Sequence, residues 1–275
     1  MTTASALEQV PVLSLARLSA EDFADAIGRS FREFGFAMVT DHGMDADLVS
    51  RGWALSKAFF ALPEAAKRAY LVPGGAGQRG YTAFGTEIAK GASENDLKEF
   101  WHVGRTLPPG SPLEADMPPN IWPKEIDGFR ETFETLFATF DATGARILSG
   151  VARHLGLAPD WFDSRIENGN SILRLLHYPP VSAQAPGIRA GAHEDINLIT
   201  ARRAGHQCRR HAPAPDQPRA ALDQSPRRQS AAGAPPVCAI CHALLPALAA
   251  GRDDRGTAAM RDQRQSAARA ADQRA

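Results

Sequence analysis

The sequence predicts an α+β fold, with an N-terminal layer of helices packed on a β-sandwich or jelly roll. Three observations carry this prediction. Apolar residues recur at helical spacing in two stretches, near 23–34 and 126–155. Short apolar runs bounded by turn residues, at 10–13, 36–39 and 171–178, have the length of strands. The 13 Phe, 4 Trp and 3 Tyr that would fill a core all lie before residue 200.

Val10-Pro-Val-Leu13 reads as the first strand. Ser19 is a good helix N-cap, with Glu21 and Asp22 in the first turn, where acids favour the helix dipole. Phe23, Ile27, Phe31 and Phe34 then keep helical spacing, and Gly35 ends the helix. Phe36-Ala-Met-Val39 reads as a strand and Asp41-His42-Gly43 as the turn after it. A second helix is expected over about 45–60. The glycines of 73–81 predict a loop. The strongest helical pattern follows Pro123: Ile126, Phe129, Phe133, Leu136, Phe137, Phe140, Ile147, Leu148, Val151 and Leu155 form one apolar face, stopped at Gly156. Gly144 lies on that face, where a close helix crossing is expected. Ser171–Tyr178 is the clearest strand. Period two places Leu173, Leu175 and His177 on one face and Ile172, Arg174, Leu176 and Tyr178 on the other.

The composition changes near Thr200. Residues 201–275 hold no aromatic residue and no lysine, yet contain 21 Ala and 13 Arg. Two regions are therefore expected, a folded one over 1–200 and a largely disordered tail over 201–275. The 31 basic and 31 acidic residues balance, which argues against nucleic acid or an anionic membrane as partner. No apolar run approaches the roughly 20 residues of a spanning helix. Met1–Gln9 lacks a basic-then-apolar leader pattern, so a cytoplasmic monomer is expected. The three cysteines, Cys208, Cys238 and Cys241, do not suggest a disulfide framework.

The best site candidate is His193-Glu-Asp195. On a strand, His193 and Asp195 share a face with Cα atoms roughly 6.5–7 Å apart, and Glu194 points away. With a second, distant histidine they would make a 2-His-1-carboxylate triad. Such a triad leaves positions open on Fe(II) for a co-substrate and O2. Alone the tripeptide is common, and a polar strand end is the competing reading.

Six segments in order resemble the isopenicillin N synthase-like family. These are Val10–Leu13, Phe34–Gly43 ("GFFxVxNHGI"), Phe59–Pro63 with Lys67 ("FFxLPxxxK"), Arg79-Gly-Tyr81 through Gly85 and Glu87 to Lys98-Glu99-Phe100, Leu173–Pro180 ("LRLxxYPP"), and His193-x-Asp195. The resemblance implies a double-stranded β-helix core. It also implies Fe(II) and 2-oxoglutarate as cofactor and co-substrate, with O2. The implied reaction decarboxylates 2-oxoglutarate to succinate and CO2 while oxidising a small-molecule substrate. His193 and Asp195 match two iron ligands. Tyr178 matches a tyrosine that hydrogen-bonds the co-substrate. Arg174 shares its face and is a candidate for a charge-assisted carboxylate contact, with a sheet-edge arginine as the alternative. His42 reads as structural, and His102 and His177 as packing or surface histidines.

The resemblance stops at about Thr200. The family's distal iron histidine ("STxHRVVNP") and the arginine before "PFFLH" are missing. His206, His211 and His242 lack the required neighbours. Residues 216–230 can be written in codons that, one nucleotide later, give TNRVLPSTNHRVVNP. Residues 236–247 can likewise give RYARSAMPFFLH, and 259–269 PCVTNANPPR, in the same frame and in the family's order. A frameshift near codon 201 is therefore expected, with loss of the third ligand and of activity. On that reading Cys238-Ala-Ile-Cys241-His242, which matches a haem-attachment pattern, is an artefact. Three alternatives stay open: a subgroup forming ethylene and succinate from 2-oxoglutarate, a non-catalytic binding or regulatory descendant, and a redox or metal module built on Cys238 and Cys241.

Overall fold

The structure is a computed structural model that describes residues 10–75, 77–88, 95–181, 197–203 and 238–241. The first described strand is β1 (Val12–Ser14), which starts two residues later and ends one residue later than the expected strand. Helix α1 (Ala20–Phe34) follows. Ser19 caps it by accepting from the Asp22 backbone N–H, and Gly35 ends it in the left-handed region at φ 74°. Strand β2 (Phe36–Thr40) pairs parallel to β1. Asp45 caps α2 (Ala46–Phe60), and a short helix α3 (Glu64–Arg68), not expected from the sequence, comes next. The loop expected over 73–81 ends two residues early, because Gly80 already begins β3 (Gly80–Thr82).

Strand β4 (Glu99–Gly104) is buried at all six positions. Helix α4 (Phe129–His154) starts later than the apolar pattern suggested. Gly128 sits in the left-handed region at φ 73° and forms its N-cap, leaving Ile126 in the preceding turns. The short α5 (Asp163–Ile166) leads to β5 (Ile172–His177), and β6 (Thr200–Arg203) and β7 (Cys238–Cys241) complete the described elements.

Two sheets result. One has the order β1-β2-β7-β6, with β7 antiparallel to both neighbours. The other is antiparallel with the order β3-β4-β5. The tail that the sequence marked as largely disordered thus contributes β7 and most of β6; its other residues lie outside the described set.

Helix α4, about 39 Å long at 1.5 Å per residue, serves two cores. Its C-terminal half (Ile147, Leu148, Val151, Ala152) packs with Phe23, Ile27 and Phe31 of α1 and with Ala37 and Val39 of β2. Its N-terminal half (Phe129, Phe133, Leu136) packs with Phe59 and Phe60 of α2 and with Tyr81, Trp101, Val103 and Leu175 of the second sheet. The rings of Phe59 and Trp101 meet edge to face at 4.7 Å. The close helix crossing expected at Gly144 lies at Gly150 instead. A Cβ on Gly150 would come within 2.7 Å of the Phe23 ring, whereas one on Gly144 would meet Ile199 at an ordinary 3.6 Å. Among the described residues, no helix is long and apolar enough to cross a membrane.

Candidate functional site

Strand β5 alternates as its sequence predicts. Leu175 is buried and Leu173 packs against the second core, while Ile172, Arg174 and Leu176 are exposed on the opposite face. Register then decides what surrounds that face. Leu176 lies opposite Phe100 of β4, and Arg174 opposite His102. Tyr178 follows the strand directly and is half-buried. The sequence therefore selected Arg174 and Tyr178 as sharing a face, and β4 supplies the neighbours it did not predict.

Those neighbours form a polar network. Arg174 Nε donates to His102 Nε2 at 2.5 Å, and His102 Nδ1–H donates to the Gly77 carbonyl at 2.5 Å. The Arg174 guanidinium lies 4.5 Å from the Phe100 ring centre. Its Nη2 is 3.3 Å from Glu87 Oε1. The other Glu87 oxygen sits 2.6 Å from Lys98 Nζ, which also reaches Asp96 Oδ2 at 2.6 Å.

The charge states follow from these contacts. Burial pulls the Lys98 ammonium down, but Asp96 and Glu87 more than offset it and hold its pKa above the usual lysine value. Burial, and then the Arg174 charge, push His102 down to about 4. Burial raises the Tyr178 hydroxyl above its ordinary value, with Lys98 opposing. At neutral pH the face thus holds a charged guanidinium, a neutral imidazole acceptor and a neutral phenol donor. A guanidinium and an O–H donor on one strand face are complementary to a carboxylate.

The opposite face carries a second network, also not foreseen. Glu99 is buried and accepts from Lys67 Nζ at 2.7 Å and from the Tyr81 hydroxyl, and its other oxygen pairs with His177 Nδ1 at 2.7 Å. The His177 ring stacks on Phe60 at 5.0 Å. Burial alone would raise the Glu99 pKa, but Lys67, Tyr81 and His177 hold it below the usual carboxylate value. This cluster ties α3 to the sheet. His177 packs as expected, while His102 is engaged by Arg174 rather than idle. His42 is buried, and its Nδ1 accepts from the Met44 N–H at 3.1 Å, in keeping with a structural role.

His193, Glu194 and Asp195 lie outside the described residues, as do His206, His211 and His242. Among the described residues, no three His, Cys, Asp or Glu side chains converge as metal ligands would. The described part alone therefore does not fit an iron ion, and any iron chemistry of this chain rests on residues outside that set.

Comparison with known proteins places these features in a family. The profile of the non-haem dioxygenase in morphine synthesis N-terminal family matches residues 10–125. A protein from Caulobacter crescentus assigned to the 2OG-Fe(II) oxygenase family has a solved structure 37% identical in sequence. It superposes with a TM-score of 0.67 over 85% of this chain and 73% of its own. A full-length Neurospora crassa protein solved in complex with alpha-ketoglutarate is 26% identical, with a TM-score of 0.63 over 86% of this chain and 74% of its own. The 2-oxoglutarate-dependent dioxygenase UcsF of an Acremonium species is 30% identical over 208 residues, 70% of this chain and 62% of that protein. The chain thus spans less than two thirds of the length of that relative. With these matches, the chain belongs to the 2-oxoglutarate- and Fe(II)-dependent non-haem dioxygenase family.

Proposed function

We propose that residues up to about 200 are the N-terminal layer and first strands of a double-stranded β-helix oxygenase. In this reading the β3-β4-β5 sheet presents Arg174 and Tyr178 toward the ligand-binding interior. His193 and Asp195 supply two of three iron ligands. The reaction class is oxidation of a small molecule coupled to decarboxylation of 2-oxoglutarate. Iron would supply the oxidising chemistry, while Tyr178 donates a hydrogen bond and Arg174 a charge-assisted contact to bound carboxylate. The observation that carries the reading is the shared face of Arg174 and Tyr178, with a neutral phenol beside a fixed guanidinium. A small-molecule substrate fits relatives such as a Streptomyces validamycin A dioxygenase, 30% identical over 206 residues, and the Neurospora protein, also solved with 5-formyluracil.

The same reading makes this chain inactive as written. Residues after about 201 are out of frame, so the third iron ligand and the arginine for the far carboxylate of 2-oxoglutarate are missing. The nucleotide sequence around codon 201 is the test. A downstream frame encoding a histidine in an "HRVVNP" context supports it. A frame that stays closed on both sides overturns it, and favours a non-catalytic descendant in which β7 has become a genuine strand beside β2.

A further inference from the structure

We propose that His102 is a positioning residue for Arg174: it holds the guanidinium through Nε, so that the two terminal nitrogens are presented to the carboxylate of a bound ligand. The inference rests on the reading of Arg174 as a carboxylate-binding group and assigns it a partner.

His102 and Arg174 are directly opposed across an antiparallel pair, where same-face side chains lie close enough to interact. Both nitrogens of the buried His102 ring are committed. The Gly77 carbonyl can only accept, so Nδ1 carries the hydrogen. Nε2 then offers a lone pair, and the Arg174 Nε–H donates to it. Phe100 fixes the plane of the group, lying 4.6 Å from the His102 ring centre and beside the guanidinium. With Nε taken and one face covered, the terminal nitrogens are the donors left for a ligand. One of them meets Glu87, a carboxylate already bound to Lys98. Glu87 thus marks the position a ligand carboxylate would take or share.

The arrangement needs a neutral imidazole. The charged groups facing His102 are Arg174 from β5, Arg79 from the loop before β3 and Glu87 from the loop after it. Burial and the two arginines disfavour a third positive charge, and Glu87 opposes them more weakly. A long, partly exposed arginine otherwise loses rotamer freedom on binding; one already held does not.

The test uses the full chain, with 2-oxoglutarate as probe and calorimetry as the binding readout. Nitrogen-15 spectra at pH 7 should show His102 protonated on Nδ1 and not on Nε2. In H102F the acceptor is gone, and affinity should fall about tenfold, the order of one lost hydrogen bond. In H102Q the amide oxygen can accept from Nε, and affinity should stay within about threefold of the unaltered chain. R174Q should weaken binding at least as much as H102F. If R174Q weakens binding while H102F does not, or if the proton resides on Nε2, the positioning role falls and the Arg174 reading survives. If R174Q binds like the unaltered chain, the Arg174 reading falls and takes this inference with it. If the unaltered chain, which lacks the arginine for the far carboxylate, does not bind, the same variants are compared in the chain whose frame is restored after codon 201, with the same two outcomes.

Discussion

Lys67 and Glu99 stand 32 residues apart in the chain and meet in its interior, Nζ to Oε2 at 2.7 Å, with side chains 9% and 4% exposed. Lys67 comes from α3 and Glu99 from β4. Their contact, with Tyr81 and His177 on the same carboxylate, locks the helical layer to the sheet that carries Arg174.

Removing one partner should be worse than removing both. Lys67→Met leaves a buried carboxylate without its cation and should cost about 3–5 kcal/mol. The double variant Lys67→Met, Glu99→Leu removes both charges and should recover a substantial part of that loss. Urea denaturation of the two variants decides it; equal destabilisation would mean that the carboxylate is not uncompensated in the single variant.

Acid should act through the same carboxylate. The folded-state pKa of Glu99 is held below its ordinary 4.5. Its stabilising contribution is therefore present above that value and lost as pH falls through the depressed folded-state value. Glu99→Gln should flatten the fall of stability below pH 4.5, measured by denaturant titration across pH.

His102 adds a window of its own. Its pKa drops from 6.5 to about 4 on folding, so the folded chain binds fewer protons between those values. Stability is full above pH 6.5 and declines as pH falls toward 4, by roughly 3 kcal/mol for a displacement of this size. H102Q should abolish that part of the slope. An unchanged slope would mean that the ring titrates freely.

Helix packing offers an independent check. Gly150→Ala would push a methyl into the Phe23 ring and should cost about 1–3 kcal/mol. Gly144→Ala meets only ordinary contact and should be neutral or stabilising by up to about 1 kcal/mol. Thermal melting of the pair compares them directly, and a reversed order would contradict the α1–α4 packing.

Local chemistry was legible where one residue suffices. Ser19 and Gly35 bracket α1 as read from sequence, and alternation in Leu173–Tyr178 gave the correct faces of β5. Strand β4 was read only as the motif Lys98-Glu99-Phe100. It is buried throughout, so it has no polar alternation to announce it. Periodicity put the close crossing at Gly144, because that glycine lies on the apolar face, whereas the structure puts it at Gly150 against Phe23. The start of α4 was misplaced because apolar spacing continues through Ile126, while the backbone of Gly128 sets the boundary. Of the site, Tyr178 was selected by the family resemblance and Arg174 by sharing its face. Their partners His102, Glu87 and Lys98 required a cross-strand register that no local pattern encodes. His193 and Asp195 were selected by their spacing together with the family resemblance, and lie outside the described residues.

The most direct measurement is succinate formed from 2-oxoglutarate under air with added Fe(II), by the chain as it stands and by one whose reading frame is restored after codon 201. An incomplete ligand set predicts no iron-dependent succinate from the first and turnover from the second, abolished by His193→Ala. Iron-dependent succinate from the unaltered chain would contradict the account, because the tail would then be supplying the ligand held to be lost.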